Sequence, residues 1–414
     1  MMNTINFPGA GLYRPLLGLI LVAALGACAT SSETTPSASA TPPPIPALPF
    51  DEAVLKAAND LFTKAQLPPA GSESPARYTL VIDPLIDGLT GFQSVATQSM
   101  QTRIEQLAGE KYPQFQVQPF SKSSVAAAPI VLIGTFTPVN SEGKTEGTRE
   151  AYRVCLALAD LKSGKIVGKG FARAQMQGVN VTPTRYFQDS PTWAKDPATE
   201  GYIKTCQGTK IGDPVNPVYI ERIKAAALLS EATKAYDAGQ YRQALDLYTE
   251  ALQTPGGDQL RAYNGTYLAH WKLGQRNDAA QSFGKIVDYG LANKRLAVKF
   301  LFKPGSTAFL PNAQVTGPYP LWLQQIAART AQSNACLEIS GHTSRTGLEP
   351  RNERLSLRRA EYIKQRLESQ DPALSKRTLA AGKGSRENLV GTGKDDVSDA
   401  LDRRVVFQVI DCAL

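Results

Sequence analysis

The feature that most restricts the possible folds is an internal repeat between residues 220 and 295. Gly239, Ala244, Tyr248 and Ala251 recur as Gly274, Ala279, Phe283 and Ile286, and Tyr236 recurs as Trp271, always at an offset of 35 residues. A period of that length accommodates two helices and a turn. Glycine lets the turn close tightly, small alanines let the helices approach, and the aromatic fills the groove beside them. The region is read as paired helices. Two copies are too few to stand alone, so they are expected to pack on a neighbouring domain.

The stretch EATKAYDAGQYRQALDLYTEAL resembles a tetratricopeptide repeat. The second copy departs from that pattern, with Arg276 where an aromatic is usual. The resemblance implies either peptide binding or a structural spacer.

The N-terminal residues read as an export signal. Arg14 supplies a positive charge, and Leu16 to Ala27 form an apolar run. At about 12 residues the run is too short to cross a hydrocarbon layer of roughly 30 Å as a helix. It ends Leu25-Gly26-Ala27-Cys28, which resembles the lipobox of bacterial lipoproteins. The resemblance implies acylation at Cys28 with three chains, where one would anchor poorly. The alternative is an ordinary signal with an incidental cysteine. Ala29, rather than Asp, follows Cys28, which implies an outer-membrane lipoprotein facing the periplasm.

Residues 29–49 are rich in Ser, Thr, Ala and Pro and cannot bury enough apolar surface to fold. They are read as a disordered tether, which in polyproline form, at about 3.1 Å per residue, reaches roughly 65 Å. About 365 residues follow, enough for two or three domains. The net charge is +8. In an exported chain this points to an anionic wall polymer or membrane surface rather than nucleic acid, with plain surface solvation as the simpler account. Beyond Cys28 the cysteines are Cys155, Cys206, Cys336 and Cys412. An even number in an oxidising compartment favours disulfides, and three pairings are possible.

Residues 50–217 are read as a small α/β domain. RYTLVID, FQVQPF and PIVLIGTF have strand patterns, Gln93 to Ala108 an amphipathic helical one, and YRVCLALADLKSGKIVGKGFARA that of a hairpin turning at residues 162–165. The order resembles the α/β domain of periplasmic lipoproteins that assemble curli channels or activate penicillin-binding proteins. Gly178 to Pro217 reads as a long loop. Its Tyr186, Phe187 and Trp193 either form a contact surface or pack the loop onto its own domain. The repeats are placed at 218–295 and a last domain at 296–414.

That last domain carries a series of motifs. FLFKPGSTAF, LEISGHTSRTG, NERLSLRRA, AAGKGSREN and DRRVVFQVI resemble, in order and at family spacing, the OmpA-like C-terminal domain. The resemblance implies a βαβαββ mixed-sheet fold and non-covalent binding of peptidoglycan. In that family a loop Asp takes the ammonium of a diaminopimelate side chain and a helix Arg takes its carboxylate. Carried onto this chain, His342, Thr343, Ser344, Asn352, Arg359 and Arg404 are the expected ligand-binding residues. Family strand pairing also implies that Cys336 bonds Cys412, which leaves Cys155 for Cys206.

The helix of NERLSLRRA can be read by itself. Steps of 100° place Leu355, Ala360, Ile363 and Leu367 in one apolar arc, and Arg351, Arg354 and Arg358 opposite, near Glu361. Arg359 falls inside the apolar arc. A guanidinium there needs a partner, either an internal carboxylate or a bound one. Three positions depart from the family: Ser344 replaces the ligand-binding Asp, Lys303 sits where an acidic residue often follows the first strand, and Asp402 replaces the Asn before Arg403-Arg404.

Catalysis is not expected. HExxH, CxxC and GxSxG are absent from the sequence, and His342 with Ser344 lacks an orienting acid. No metal or cofactor is expected, and His342 is read as bracing its loop by hydrogen bonds. The chain is thus expected to be a lipid-anchored wall-binding protein. The alternative is an adaptor whose repeats and α/β domain hold a protein partner, a wall synthase or envelope assembly factor.

Overall fold

The computed structural model describes residues 46–67, 77–192, 195–294, 296–389 and 398–412. The expected export signal, Cys28, most of the tether and Trp193 lie outside the described residues.

Among the described residues the N-terminal sheet comprises β1 (Ala47–Leu48), β2 (Tyr78–Ile82), β3 (Ile86–Asp87), β4 (Phe115–Gln118), β5 (Ile130–Val139), β6 (Ala151–Asp160) and β7 (Lys165–Gln175). The strand order is β1-β7-β6-β5-β2-β4, with β3 beside β5. β5, β6 and β7 form an antiparallel meander, while β2 pairs in parallel with β4 and β5. Side chains alternate between two covered faces, as the period of a strand requires. Leu80, Leu132, Val154 and Leu156 face one apolar core, and Val81, Val131, Cys155 and Ala157 face another.

Helices α1 (Phe50–Thr63) and α2 (Val95–Lys111) supply the first core. α1 buries Ala53, Val54, Ala57, Ala58, Leu61 and Phe62, an apolar i, i+4 stripe present in the sequence. It lies against β7 so closely that a Cβ at Gly170 would come within 1.9 Å of the Ala57 carbonyl oxygen. The tether was expected to run to residue 49. Instead Ala47 and Leu48 pair with Arg173 and Ala174, because the free edge of β7 offers them hydrogen bonds.

The segment expected as a long loop holds two helices. After α3 (Lys122–Ala126) come α4 (Arg185–Asp189) and α5 (Pro197–Gln207). The signals for α5 are in the sequence: Asp196 caps Thr199 N at 2.9 Å, Pro197 opens the helix and Glu200 sits in its first turn. Cys206 on α5 is bonded to Cys155 on β6, which ties the helix to the second sheet face.

The repeat region forms α6 (Pro217–Asp237), α7 (Tyr241–Gln253), α8 (Leu260–Lys272) and α9 (Arg276–Ala292). The matched glycines, Gly239 and Gly274, adopt φ of 79° and 77° at the two turns. The matched pairs Ala244 and Ala279, Tyr248 and Phe283, and Ala251 and Ile286 are all buried. As expected, the helices pack on both neighbours: Tyr219 and Ile223 of α6 join the second sheet core, and Phe283 of α9 stacks on Trp322 at 5.5 Å.

The C-terminal part runs β8 (Phe300–Leu301), α10 (Ala313–Thr316), α11 (Tyr319–Ser333), β9 (Cys336–Gly341), α12 (Glu349–Glu368), β10 (Thr378–Gly382) and β11 (Arg404–Ile410). Strand order is β10-β9-β11-β8, with β10 and β9 parallel and β11 antiparallel to β9 and β8. Ile410 lies opposite Cys336, and the Cys336–Cys412 disulfide closes the sheet end with a Cα separation of 5.2 Å. A continuous apolar core runs from Tyr186 and Phe187 through the repeats to Ile339 and Phe407.

Candidate functional site

The site is built where β9 hands over to α12. Strand and helix touch backbone to backbone: a Cβ at Gly341 would come within 1.9 Å of the Ser356 carbonyl oxygen, and one at Gly382 within 2.6 Å of the Glu353 oxygen. Residues 342–348 therefore leave the sheet directly over the start of α12. His342 N donates to Arg404 O at 2.8 Å, Thr343 N to Gly384 O at 2.9 Å, and Asn388 Nδ2 to Thr343 O at 2.9 Å.

Arg359 is wholly buried on α12, on the face with Leu355, Ala360 and Ile363, where helical periodicity placed it. Its guanidinium meets main-chain oxygens. Nε donates to Ser306 O, Nη1 to His342 O and Nη2 to Lys303 O, each at 2.9 Å. It also lies 5.2 Å from the centre of the Phe302 ring. One side chain thus fastens the turn after β8 to the loop after β9. The Lys303 side chain is exposed and contributes only its carbonyl there.

The structure brings His342, Thr343, Ser344, Asn352, Arg359 and Arg404 together, all 5% exposed or less. Several of their polar atoms have no hydrogen-bond partner among the described residues: both ring nitrogens of His342, Thr343 Oγ1 and Asn352 Nδ2. The Glu387 carboxylate is 3.8 Å from His342 Nδ1, too long for a hydrogen bond. Burial, and then the charges of Arg404 and Lys383, hold the imidazole well below its ordinary range, so it is neutral. A neutral imidazole offers one donor and one acceptor. His342 braces its loop through its main-chain N and O, while its ring nitrogens have no hydrogen-bond partner among the described residues.

Burial lowers Arg404 to about 10, opposed by Asp402 and Glu387, and its Nη2 donates to Glu387 O at 3.1 Å. Asp402 is buried and accepts from Leu389 N at 2.6 Å. Two residues outside the expected set border the loop. Asn388 holds Thr343, and Arg149, from the turn between β5 and β6, donates to Asn388 O at 3.5 Å. No sequence signal links Arg149 to Asn388, 239 positions away; only the packing does.

Tyr186 and Phe187 are buried: Phe187 packs on Phe92 of its own domain with ring centres 5.1 Å apart, while Tyr186 turns to the repeats. Tyr186 stacks on Tyr248 and meets Tyr236 edge-on, its OH donates to Arg261 O, and Tyr236 OH donates to Asp189. α4 of the chain thereby occupies this part of the helical repeats. Among the described residues no helix is long and apolar enough to cross a membrane.

No curated protein matches the chain significantly. Solved structures that resemble its C-terminal part include the peptidoglycan-associated lipoprotein from Burkholderia pseudomallei, at 22% identity over 27% of this chain and 89% of that one, with a TM-score of 0.23. The cell wall anchor of the T6SS from Pseudomonas aeruginosa is similar at 21% identity over 31% and 96%, TM-score 0.23. An outer membrane protein from Borrelia burgdorferi is similar at 23% identity over 28% and 87%, TM-score 0.21. The OmpA family model matches residues 301–401. The loop and helix of the candidate site lie inside that span and the closing strand adjoins it: residues 301–401 form an OmpA family domain.

Proposed function

We propose that the chain is a lipid-anchored protein of the outer membrane, acylated at Cys28 and facing the periplasm, that binds peptidoglycan non-covalently and has no catalytic role. The observation that carries the reading is the group of buried polar atoms on His342, Thr343 and Asn352, unpartnered among the described residues, within an OmpA family domain. Buried polar atoms in native proteins nearly always have partners. A wall peptide seated at the loop supplies them.

In this reading Ser344 accepts a hydrogen bond from an ammonium group of a diaminopimelate side chain. The buried charge of Arg359 attracts its carboxylate, in a medium less screening than water. The tetratricopeptide-like helices act as a rigid joint, since α4 already packs into them. The test is co-sedimentation of the purified protein with sacculi. Binding that saturates and that soluble diaminopimelate peptides displace is the expected result; a protein that stays in the supernatant would leave the adaptor alternative in its place.

A further inference from the structure

The turn joining β5 to β6, residues 140–150, reaches from the N-terminal sheet to the ligand loop. It is held in shape from within. Asn140 N donates to Lys144 O at 2.8 Å, Asn140 Nδ2 to Glu146 O at 3.1 Å, and Lys144 N to Asn140 Oδ1 at 2.9 Å. Arg173 adds bonds from β7 to Ser141 O and Asn140 O.

Its tip brings two cations together. Arg149 Nη1 donates to Gly147 O at 3.0 Å, and Arg345 Nη1, from the ligand loop, donates to the same oxygen at 3.2 Å. Arg345 Nη2 also reaches Thr148 Oγ1 at 3.4 Å. Arg149 Nη2 touches Asn388 O, and Asn388 in turn holds the Thr343 carbonyl. Arg149 is half-buried, and its Nε has no hydrogen-bond partner among the described residues. Burial lowers its pKa, Asp402 and Asp87 pull it up, and Arg345 pulls it down. Two like charges sharing one carbonyl repel each other, and an anion between them relieves the repulsion. Ser344, next to Arg345 in sequence, adds no negative charge.

We propose that the turn between β5 and β6 is a second wall of the ligand site, in which Arg149, together with Arg345, binds a carboxylate of the wall peptide. The N-terminal domain thereby shifts the preference of the site from a zwitterionic peptide end toward an anionic one. This rests on the wall-binding reading given above. It assigns to that site a residue that lies outside the OmpA family domain.

The experiment uses the full chain and purified sacculi. In Arg149→Glu the new carboxylate faces Arg345, so the turn stays docked through an ion pair while the mouth loses two units of positive charge. Affinity is expected to fall at least about tenfold, the loss of one charge-assisted contact. Arg149→Lys should remain near the parent. Lys144→Glu, in the same turn but paired outward with Glu142, should bind like the parent. Unchanged melting of each variant separates a binding defect from misfolding. Sacculi whose stem carboxylates have been converted to amides should bind the parent as weakly as ordinary sacculi bind Arg149→Glu. Equal or tighter binding by Arg149→Glu, with the parent still sedimenting, overturns this inference alone. A parent that does not sediment at all overturns the wall-binding reading and this inference with it.

Discussion

Arg359 shows how one side chain can serve both architecture and binding. Its three nitrogens satisfy carbonyls on two segments, and each buried carbonyl left unmet costs about 1–3 kcal/mol. Arg359→Ala should therefore lower unfolding free energy by roughly 3–5 kcal/mol and abolish sacculus binding, measured by urea titration and sedimentation. Ser344→Asp tests the ligand more directly. A charged acceptor adds about 1.5–3 kcal/mol, so binding should tighten roughly ten- to a hundredfold. An unchanged affinity would mean that another group already meets the ammonium.

A second residue-scale prediction concerns pH. Asp83 is buried and accepts from Tyr219 OH at 2.8 Å. Burial raises it to about 6, with Arg261 and Tyr219 opposing. A carboxyl that is easier to protonate when folded contributes stability that is full below its unfolded value, near 3.8, and is lost as pH rises through about 6. His342 acts in the opposite sense, since its depressed pKa costs stability as pH falls below about 6.5. Comparing parent with Asp83→Asn separates them: the variant should gain up to roughly 3 kcal/mol at neutral pH and lose the decline between pH 4 and 7. A pH profile identical to the parent's would refute the assignment.

At the scale of elements, the site depends on α12 lying flat on β9 and β10. Gly341 permits this, because any side chain there meets the Ser356 carbonyl. Gly341→Ala should lift the start of α12, destabilise the domain by about 1–3 kcal/mol and weaken binding, even though Gly341 is not itself a site residue. The measurement is denaturant unfolding alongside sedimentation. Normal stability and normal binding together would show that the helix can shift at no cost. Much of this level was legible. The apolar arc of α12 located Arg359, and the family strand order implied Cys336–Cys412, which left Cys155 for Cys206. α1 and α5 lay beyond the expected elements, although both carry local signals, the apolar i, i+4 stripe of α1 and the Asp196-Pro197 start of α5.

Across the whole molecule, the repeats join the two sheets through shared cores. Phe283 of α9 stacks on Trp322 of α11 with the rings 2° from parallel, and Trp322 Nε1 donates to Tyr267 OH at 2.7 Å. Phe283→Ala should cost about 3–5 kcal/mol, as truncation of a buried aromatic usually does. It should also make the C-terminal domain unfold ahead of the rest in calorimetry. A single transition with an unchanged midpoint would argue against this coupling.

The division between sequence and tertiary structure follows from the range of the forces involved. Local periodicity and turn chemistry settle which segments become helices or strands, and so the paired repeat helices, the hairpin of β6 and β7, and the burial of Arg359 were readable in advance. Which groups meet across the fold is settled by packing between segments far apart in the chain. Periodicity put a guanidinium inside α12 but could not show that carbonyls of Lys303, Ser306 and His342 would meet it. Nor could it show that Arg149 would arrive beside Arg345. The Arg359 contacts come from α12 packing on its own sheet, and the Arg149–Arg345 approach from the packing of both sheets on α6 to α9, long-range outcomes that no short stretch of sequence encodes.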